Sequence, residues 1–172
     1  MGHVERRAVQ RHNQMICFDD GVDRFQMRAA GIAVEDGHVL IHRATHESFW
    51  TLPGGRIEQG ETSTATMLRE MREELLVEVE IGPLAILVES FFLDIGQQFH
   101  EIGFYHRMRV SPGFSRLRGG ICHTIVDGVA LEFRWVPADV ASLSEWNFFP
   151  KSLRPHIAAP GPMIHIIDRE GT

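Results

Sequence analysis

Between Gly54 and Val77 the chain reads GGRIEQGETSTATMLREMREELLV. A Gly-Gly pair comes first, then Glu61, then Arg69, Glu70, Glu73 and Glu74 in close order. Glycine lets a backbone approach an extended anion closely, and successive N–H groups can cradle phosphate oxygens. Clustered carboxylates suit a hard divalent cation such as Mg²⁺, which shares itself between carboxylates, water and phosphate. No soft ligand accompanies them to favour zinc. Together these residue types fit phosphoanhydride hydrolysis, in which a metal neutralises charge on the phosphates and acidifies a bound water. Taken singly, an Arg/Glu-rich helix face is most often just solvated and a Gly-Gly pair is most often a turn. Their joint spacing favours the chemistry.

The carboxylates need a scaffold. Ala65, Leu68, Met71 and Leu75 recur at steps of three and four, which predicts a helix with those residues on its buried face. At about 100° per residue, Glu70, Glu73 and Glu74 then fall together on the opposite side. Thr62 or Ser63 is placed to cap the start. Like charges at these spacings repel by about 0.2–0.5 kcal/mol per pair. Arg69, four residues before Glu73, offsets part of this, and a divalent cation would offset the rest.

Around the helix the chain reads mostly as strand. Arg24–Val34 and Val39–Arg43 flank an Asp36-Gly37 hairpin signal. Val77–Leu93 reads as a strand interrupted at Gly82-Pro83, with a turn at Asp94-Ile95-Gly96. Phe99–Val110 alternates, with Ile102, Phe104, Met108 and Val110 on one face and Glu101, Tyr105, Arg107 and Arg109 on the other. Ser111–Ala130 is a glycine-rich excursion holding Gly119-Gly120 and a short strand at Ile121–Val126. Leu131–Val136 is a further strand with Leu131, Phe133 and Trp135 on one face. A short helix begins in Pro137–Leu143, and a second is predicted over Phe149–Ala159 with Pro150 in its first turn and Pro155 kinking or ending it. The tail holds an apolar patch, Met163–Ile167.

The chain's 172 residues suffice for one domain with its own core, spanning 1–172, with 1–13 read as a loose polar terminus. A net charge of −6 argues against tight nonspecific binding to nucleic acid or anionic membrane, though not against a nucleotide held through a metal. The two cysteines, Cys17 and Cys122, have no metal-type spacing and form no disulfide framework. The N-terminus lacks the apolar run of a secretory signal, and no apolar stretch approaches spanning length. A reducing, cytoplasmic setting is the expectation. His42 and His46 are four apart, but on a strand and a loop, so no helical metal pair is expected.

The pattern resembles the Nudix box, a glycine, then a glutamate, then Arg-Glu-x-x-Glu-Glu before a glycine and an aliphatic residue. Gly55 matches the first glycine, Glu61 the glutamate and Arg69-Glu70 the Arg-Glu pair; Met71 takes the aliphatic position, Glu73-Glu74 the paired glutamates and Val77 the end. Trp50-Thr51-Leu52-Pro53-Gly54 is similar to the usual lead-in. One position departs: Leu76 stands where the family has the glycine that ends the helix. Because leucine resists positive φ by roughly 1–2 kcal/mol, the expectation is a longer helix or a different turn, with Leu76 or Val77 packed inward.

The resemblance implies a mixed-sheet α/β/α sandwich and hydrolysis of a nucleoside diphosphate linked to another group. It implies Glu70, Glu73 and Glu74 as ligands of Mg²⁺, with Mn²⁺ able to substitute. Glu73, oriented by Arg69, is the first choice for removing a proton from water or for a primary ligand, and its role is exchangeable with that of Glu74. Glu61 would support the metal's water shell, and the backbone at Gly54 and Gly55 would contact metal or phosphate. A base outside the box, Glu101 or Glu132, is a further option, although an exposed strand glutamate is the commoner reading of either. Trp50, Phe18 and Phe25 are candidates to stack on a base or, equally, to pack in the core. The absence of other branch motifs points to a nucleoside triphosphate or nucleotide sugar. The partner is a small-molecule nucleotide, and a homodimer is allowed but not required. Two readings from other classes remain: a catalytically silent Nudix-like binding or regulatory domain, and a protein acting on capped RNA ends, against which the acidic charge speaks.

Overall fold

A computed structural model of the chain describes residues 14–111, 121–159 and 161–169. The loose terminus expected at 1–13, and Gly119-Gly120 within the excursion, lie outside the described residues. The strands are β1 (Cys17–Asp19), β2 (Asp23–Ile32), β3 (Val34–Glu35), β4 (His38–Ala44), β5 (Gly54–Arg56), β6 (Val79–Asp94), β7 (Gln97–Val110), β8 (Ile121–Val126), β9 (Val129–Pro137) and β10 (Ile164–Arg169). Helix α1 spans Ser63–Leu75 and α2 spans Val140–Glu145. A 3-10 helix at Lys151–His156 takes the place of the longer helix expected over Phe149–Ala159. Pro155 lies within it and leaves an ordinary α-turn one donor short.

Among the described residues the strands form two sheets. One runs β1-β2-β7-β6-β10, with β5 also paired to β2; the other runs β3-β4-β9-β8. The first is mixed: β2 pairs parallel with β7, β6 antiparallel with β7, and β10 parallel with β6. Three hairpins turn on two residues with positive φ: Asp36-Gly37, Ile95-Gly96 and Asp127-Gly128. This backbone matches the right-handed twist of the flanking strands. The Gly82-Pro83 interruption appears as register shifts around Leu84 inside one long β6. β10 was not foreseen as a strand, because Met163–Ile167 alone carries too little alternation to separate it from a packed tail.

Two apolar clusters fill the fold. Ala30, Ile41, Trp50, Leu52, Val88, Leu143, Phe148, Leu153 and Ile157 pack on the side of α2 and the 3-10 helix. Ala29, Leu40, Met67, Met71, Leu75, Met108, Phe133 and Trp135 pack under α1. The result is an α/β/α sandwich around a mixed sheet. Strand β7 is covered on both faces: Phe104, Met108 and Val110 join the α1 cluster, while Tyr105 joins the other and Glu101 is 8% exposed. At Glu101 and Tyr105 the polar face expected for this strand is therefore an interior wall, whereas Arg109 on the same face is exposed. No helix among the described residues is long and apolar enough to cross a membrane.

Helix α1 starts as anticipated, with Thr62 Oγ1 accepting from the Ala65 N–H at 3.1 Å. Its buried arc differs from expectation. Ala65 is exposed and Leu68 half-buried, whereas Thr66, Met67, Met71, Glu74 and Leu75 are buried. Met67 and Glu74 are seven residues apart and so share nearly one azimuth. The arc centres on them, which carries Glu74 inward and parts it from exposed Glu73. The C-terminus differs too. Leu76 adopts the left-handed conformation, φ 55° and ψ 33°, and is 88% exposed. Its N–H donates to the Arg72 carbonyl and the Val77 N–H to that of Met71, so the turn closes the helix as a glycine would. Val77, not Leu76, packs against the core. Anchoring Val77 stops the helix here, and leucine takes the strained cap.

Candidate active site

Arg69 lies at the centre of one carboxylate group. Its Nε and Nη2 donate to the two oxygens of Glu61 at 2.9 and 3.0 Å. Nη1 donates to Glu70 Oε1 at 2.8 Å and Glu73 Oε2 at 3.1 Å, and Nη2 also reaches the Arg56 carbonyl at 3.2 Å. Glu61 further accepts from Thr66 Oγ1 at 2.9 Å and the Glu58 N–H at 3.2 Å. The Arg69 hydrogen bonds hold the Glu61 carboxyl below the usual range, and Glu61 in turn holds the Arg69 proton more firmly. Glu61 is thus a fully occupied clamp between the β5–α1 loop and the helix. Arg69 does contact Glu73, but its principal partner is Glu61.

The second group faces inward. At Gly55 a Cβ would lie 2.0 Å from Glu70 Oε1, so only glycine leaves Glu70 its place. At Gly54, φ 149°, a Cβ would lie 2.1 Å from the Ala29 carbonyl oxygen, and its own carbonyl accepts from Arg28 Nη2 at 3.0 Å. The same Arg28 nitrogen reaches the Leu52 carbonyl and His42 Nε2, each at 3.3 Å. Glu74 is buried with Oε2 lacking any hydrogen bond, and His42 Nδ1, also unpartnered, stands 3.6 Å away. Burial, with Glu70 next in effect, pushes the Glu74 carboxyl up to about 8. Burial, with Arg28 next, brings His42 down to about 3. Although their separation is that of an ion pair, each is therefore held neutral, and desolvation decides the matter. Burial also raises Glu70, against the opposing pull of Arg69.

Glu70, Glu73 and Glu74 do not converge. Among the described residues no three His, Cys, Asp or Glu side chains stand close enough together to hold an ion. Glu73 leans on Arg69 with half its side chain exposed. Glu70 and Glu74 still fit a divalent cation: both are hard oxygen donors, and Glu74 keeps a buried oxygen with nothing bound to it, which a positive charge would relieve.

A cavity of about 540 Å³ opens beside Glu74, His42, Arg28 and Gly54 and extends to Phe92, Phe99 and Asp168. Glu101 lines it, buried rather than exposed, with Oε2 accepting from Gln26 Nε2 at 2.5 Å. Glu132 is buried as well, but on the other face of β9. Its register partner is Arg43, whereas His42 pairs with Phe133. Arg43 at 3.1 Å and Arg134 at 2.8 Å occupy its two oxygens, which removes it as a base for this site. Trp50 is a core residue under the Arg43 guanidinium, 4.6 Å from its ring centre. Phe18 is 74% exposed and stands against Phe25, and neither lines the cavity. Its aromatic lining is Phe49, Phe149, Phe92, Phe99 and Tyr105. Those phenylalanines, and Arg28, His42 and Asp168, carried no local motif. Register across strands far apart in sequence brings them together.

The chain matches the model of the NUDIX domain over residues 25–157. It is 41% identical over 56 residues to a MutT-like protein of Streptomyces ambofaciens, a stretch covering 32% of this chain and only 36% of that relative. Among solved structures it is similar to a UDP-X diphosphatase, at TM-score 0.59 and 18% identity, over 82% of this chain and 66% of that one. It is similar to a NUDIX hydrolase from Nitrosomonas europaea, at TM-score 0.56 and 18% identity, over 84% and 79% of the two chains. At these identities the structural likeness concerns the fold.

Proposed function

The chain belongs to the Nudix family of hydrolases, and on that premise we propose that it cleaves a phosphoanhydride bond in a nucleoside diphosphate linked to another group. Nucleoside triphosphates and nucleotide sugars are the substrate classes, and residues 1–172 act as one domain. The observation that carries the reading is the buried, unpartnered carboxylate oxygen of Glu74 at one end of a nucleotide-sized cavity. Glu70 and Glu74 are the residues to hold a divalent cation, with the Gly54 carbonyl beside them. When bound, Mg²⁺ or Mn²⁺ supplies charge neutralisation for the diphosphate and a more acidic water. Glu73, the outer carboxylate held by Arg69, takes the proton from water. Glu73 thus keeps the base role and Glu74 takes that of ligand, a choice that spacing alone left open. Arg28 places a cationic group next to the Gly54 carbonyl, where it can meet a phosphate oxygen.

The test is a panel of triphosphates, oxidised triphosphates, ADP-ribose, nucleotide sugars and dinucleotides, with phosphate release followed in Mg²⁺ and in Mn²⁺. Hydrolysis is expected for at least one of them, lost with chelator and restored by either ion. Full activity in excess EDTA contradicts the reading.

A further inference from the structure

Four polar residues cross the cavity floor in one row. Gln26 of β2 pairs with Glu101 of β7, Glu101 with Ser90 of β6, and Ser90 with Asp168 of β10. All four line the cavity. Adjacent strands lie about 4.8 Å apart, so the two carboxylate-bearing backbones stand roughly 9.6 Å apart with the Ser90 hydroxyl between them. Gln26 takes one oxygen of Glu101, and Ser152 Oγ donates to Asp168 Oδ2 at 2.5 Å. The second oxygen of each carboxylate has no hydrogen bond among the described residues. Ser90, 6% exposed, and Tyr105, 3% exposed, also line the cavity with hydroxyls free of any hydrogen bond among the described residues. Burial first, then Glu101 and Asp168, raise the Tyr105 hydroxyl's affinity for its proton, and Arg28 opposes them.

Acceptors and hydroxyls left open to the cavity in one row are available to a ligand. Phosphate is the wrong one, since two carboxylates repel it. The cavity lining therefore combines Arg28, Gly54 and Glu74 with an acidic row that crosses β2, β7, β6 and β10. Asp168 reaches that row only because β10 joins the sheet, and β10 lies beyond the residues matched by the family model.

We propose that Asp168, together with Glu101 and Ser90, is the specificity-determining floor for the non-phosphate group of the substrate, and that it selects a group presenting adjacent N–H or O–H donors. This rests on the cavity being the substrate site proposed above. Such donors come from two sources, the amino edge of a purine or the hydroxyls of a sugar. Asp168 and Glu101 accept from them, and an anionic or acceptor-bearing group is excluded. In this account Glu101 reads the substrate and is not the base.

The experiment has two arms, hydrolysis of GTP against XTP, which carries a carbonyl in place of the amino group, and of UDP-glucose against UDP-glucuronate. Each pair is measured with wild type, Asp168→Asn, Asp168→Ala and Glu101→Gln, and equilibrium binding of the same nucleotides is measured alongside. Asp168→Asn keeps an acceptor for Ser152 and guards against loss of β10. Wild type should prefer the donor-bearing member in one arm by at least about tenfold in kcat/KM. Asp168→Asn and Asp168→Ala should cut that preference by about tenfold through KM, with kcat within about twofold. Glu101→Gln should behave likewise. No discrimination in either arm, discrimination untouched in folded Asp168→Ala, or a Glu101→Gln loss confined to kcat and equal for all substrates overturns the proposal. Discrimination in binding without hydrolysis of any substrate would leave it standing and instead defeat the proposed hydrolysis.

Discussion

The Arg69 group and the Glu74–His42 pair lie within one short stretch of the fold, yet they are opposites. Around Arg69 every carboxylate oxygen of Glu61 has a donor, and opposite charges balance at hydrogen-bonding distance. Around Glu74 an acid and an imidazole face each other 3.6 Å apart, buried and unbonded. A saturated network fixes geometry, because it has no capacity left for a ligand. An unsatisfied pair costs the fold free energy and is consistent with a site kept for something that binds. The same contrast separates Glu132, enclosed by two arginines, from Glu101, which keeps an oxygen open to the cavity. Carboxylates equal in the sequence thus divide into those that hold the fold and those reserved for chemistry.

Breaking the contrast at its unsatisfied end should have the largest effect. Glu74→Gln is expected to lower metal-dependent turnover by about 10³-fold, the scale for losing a group that places catalytic charge. The fold should survive, with metal-free stability equal or raised, because the buried acid is gone. Near-wild-type rates on the true substrate would place the site elsewhere. Glu73→Gln should also lose orders of magnitude in turnover while binding the metal close to normally. At the saturated end, Arg69→Ala should act chiefly on stability, by about 2–4 kcal/mol in chemical denaturation, since it strands Glu61 and Glu70 without their donor. An unchanged denaturation midpoint would show that the network does not hold the loop.

The pH dependence sharpens the comparison. Without metal, the folded protein keeps the Glu74 proton to about 8, against an ordinary 4.5. Its contribution to stability is present below 4.5 and lost as pH rises through 8. His42 acts in the opposite sense, with a folded value of about 3 against 6.5, so its contribution is complete above 6.5 and lost as pH falls toward 3. Of these two groups only Glu74 contributes a slope above 6.5. The melting temperature of chelator-treated protein should therefore fall between pH 6.5 and 8, and Glu74→Gln should flatten the curve. A wild-type curve already flat there would contradict the buried acid.

The smallest effect belongs to Leu76→Gly. The left-handed leucine is strained by about 1–2 kcal/mol, and glycine gives back part of the relief through the unfolded chain. With 88% of the side chain exposed, little packing is lost. A stabilisation of up to about 1 kcal/mol is expected, with metal-dependent activity intact.

Much of this was legible in the sequence because it is local. The Asp36-Gly37 hairpin, the Thr62 cap and the spacing of Arg69 and the glutamates are written within a few residues of each other, and local steric rules fix them. The inward arc of α1 was misread because periodicity counts apolar residues, and here the helix turns Glu74 and Thr66 inward along with Met67. The cavity floor was out of reach for a different reason. Gln26, Glu101, Ser90 and Asp168 are brought together by register across four strands, and a one-residue slip would have turned each away. Leu76 was misjudged because a propensity of 1–2 kcal/mol was set against no counterweight, and the anchoring of Val77 supplies one.

The central claim is that Glu74, not a carboxylate already engaged elsewhere, helps hold the cation. Calorimetric titration of Mn²⁺ into chelator-treated protein tests it most directly, comparing wild type, Glu74→Gln and Glu78→Gln. The last removes the same charge four residues on, where Glu78 is exposed and paired with Arg72. Glu74→Gln should weaken Mn²⁺ binding by at least about tenfold, and Glu78→Gln should leave it within about twofold. Unchanged affinity in Glu74→Gln, or equal weakening in both variants, would contradict the account.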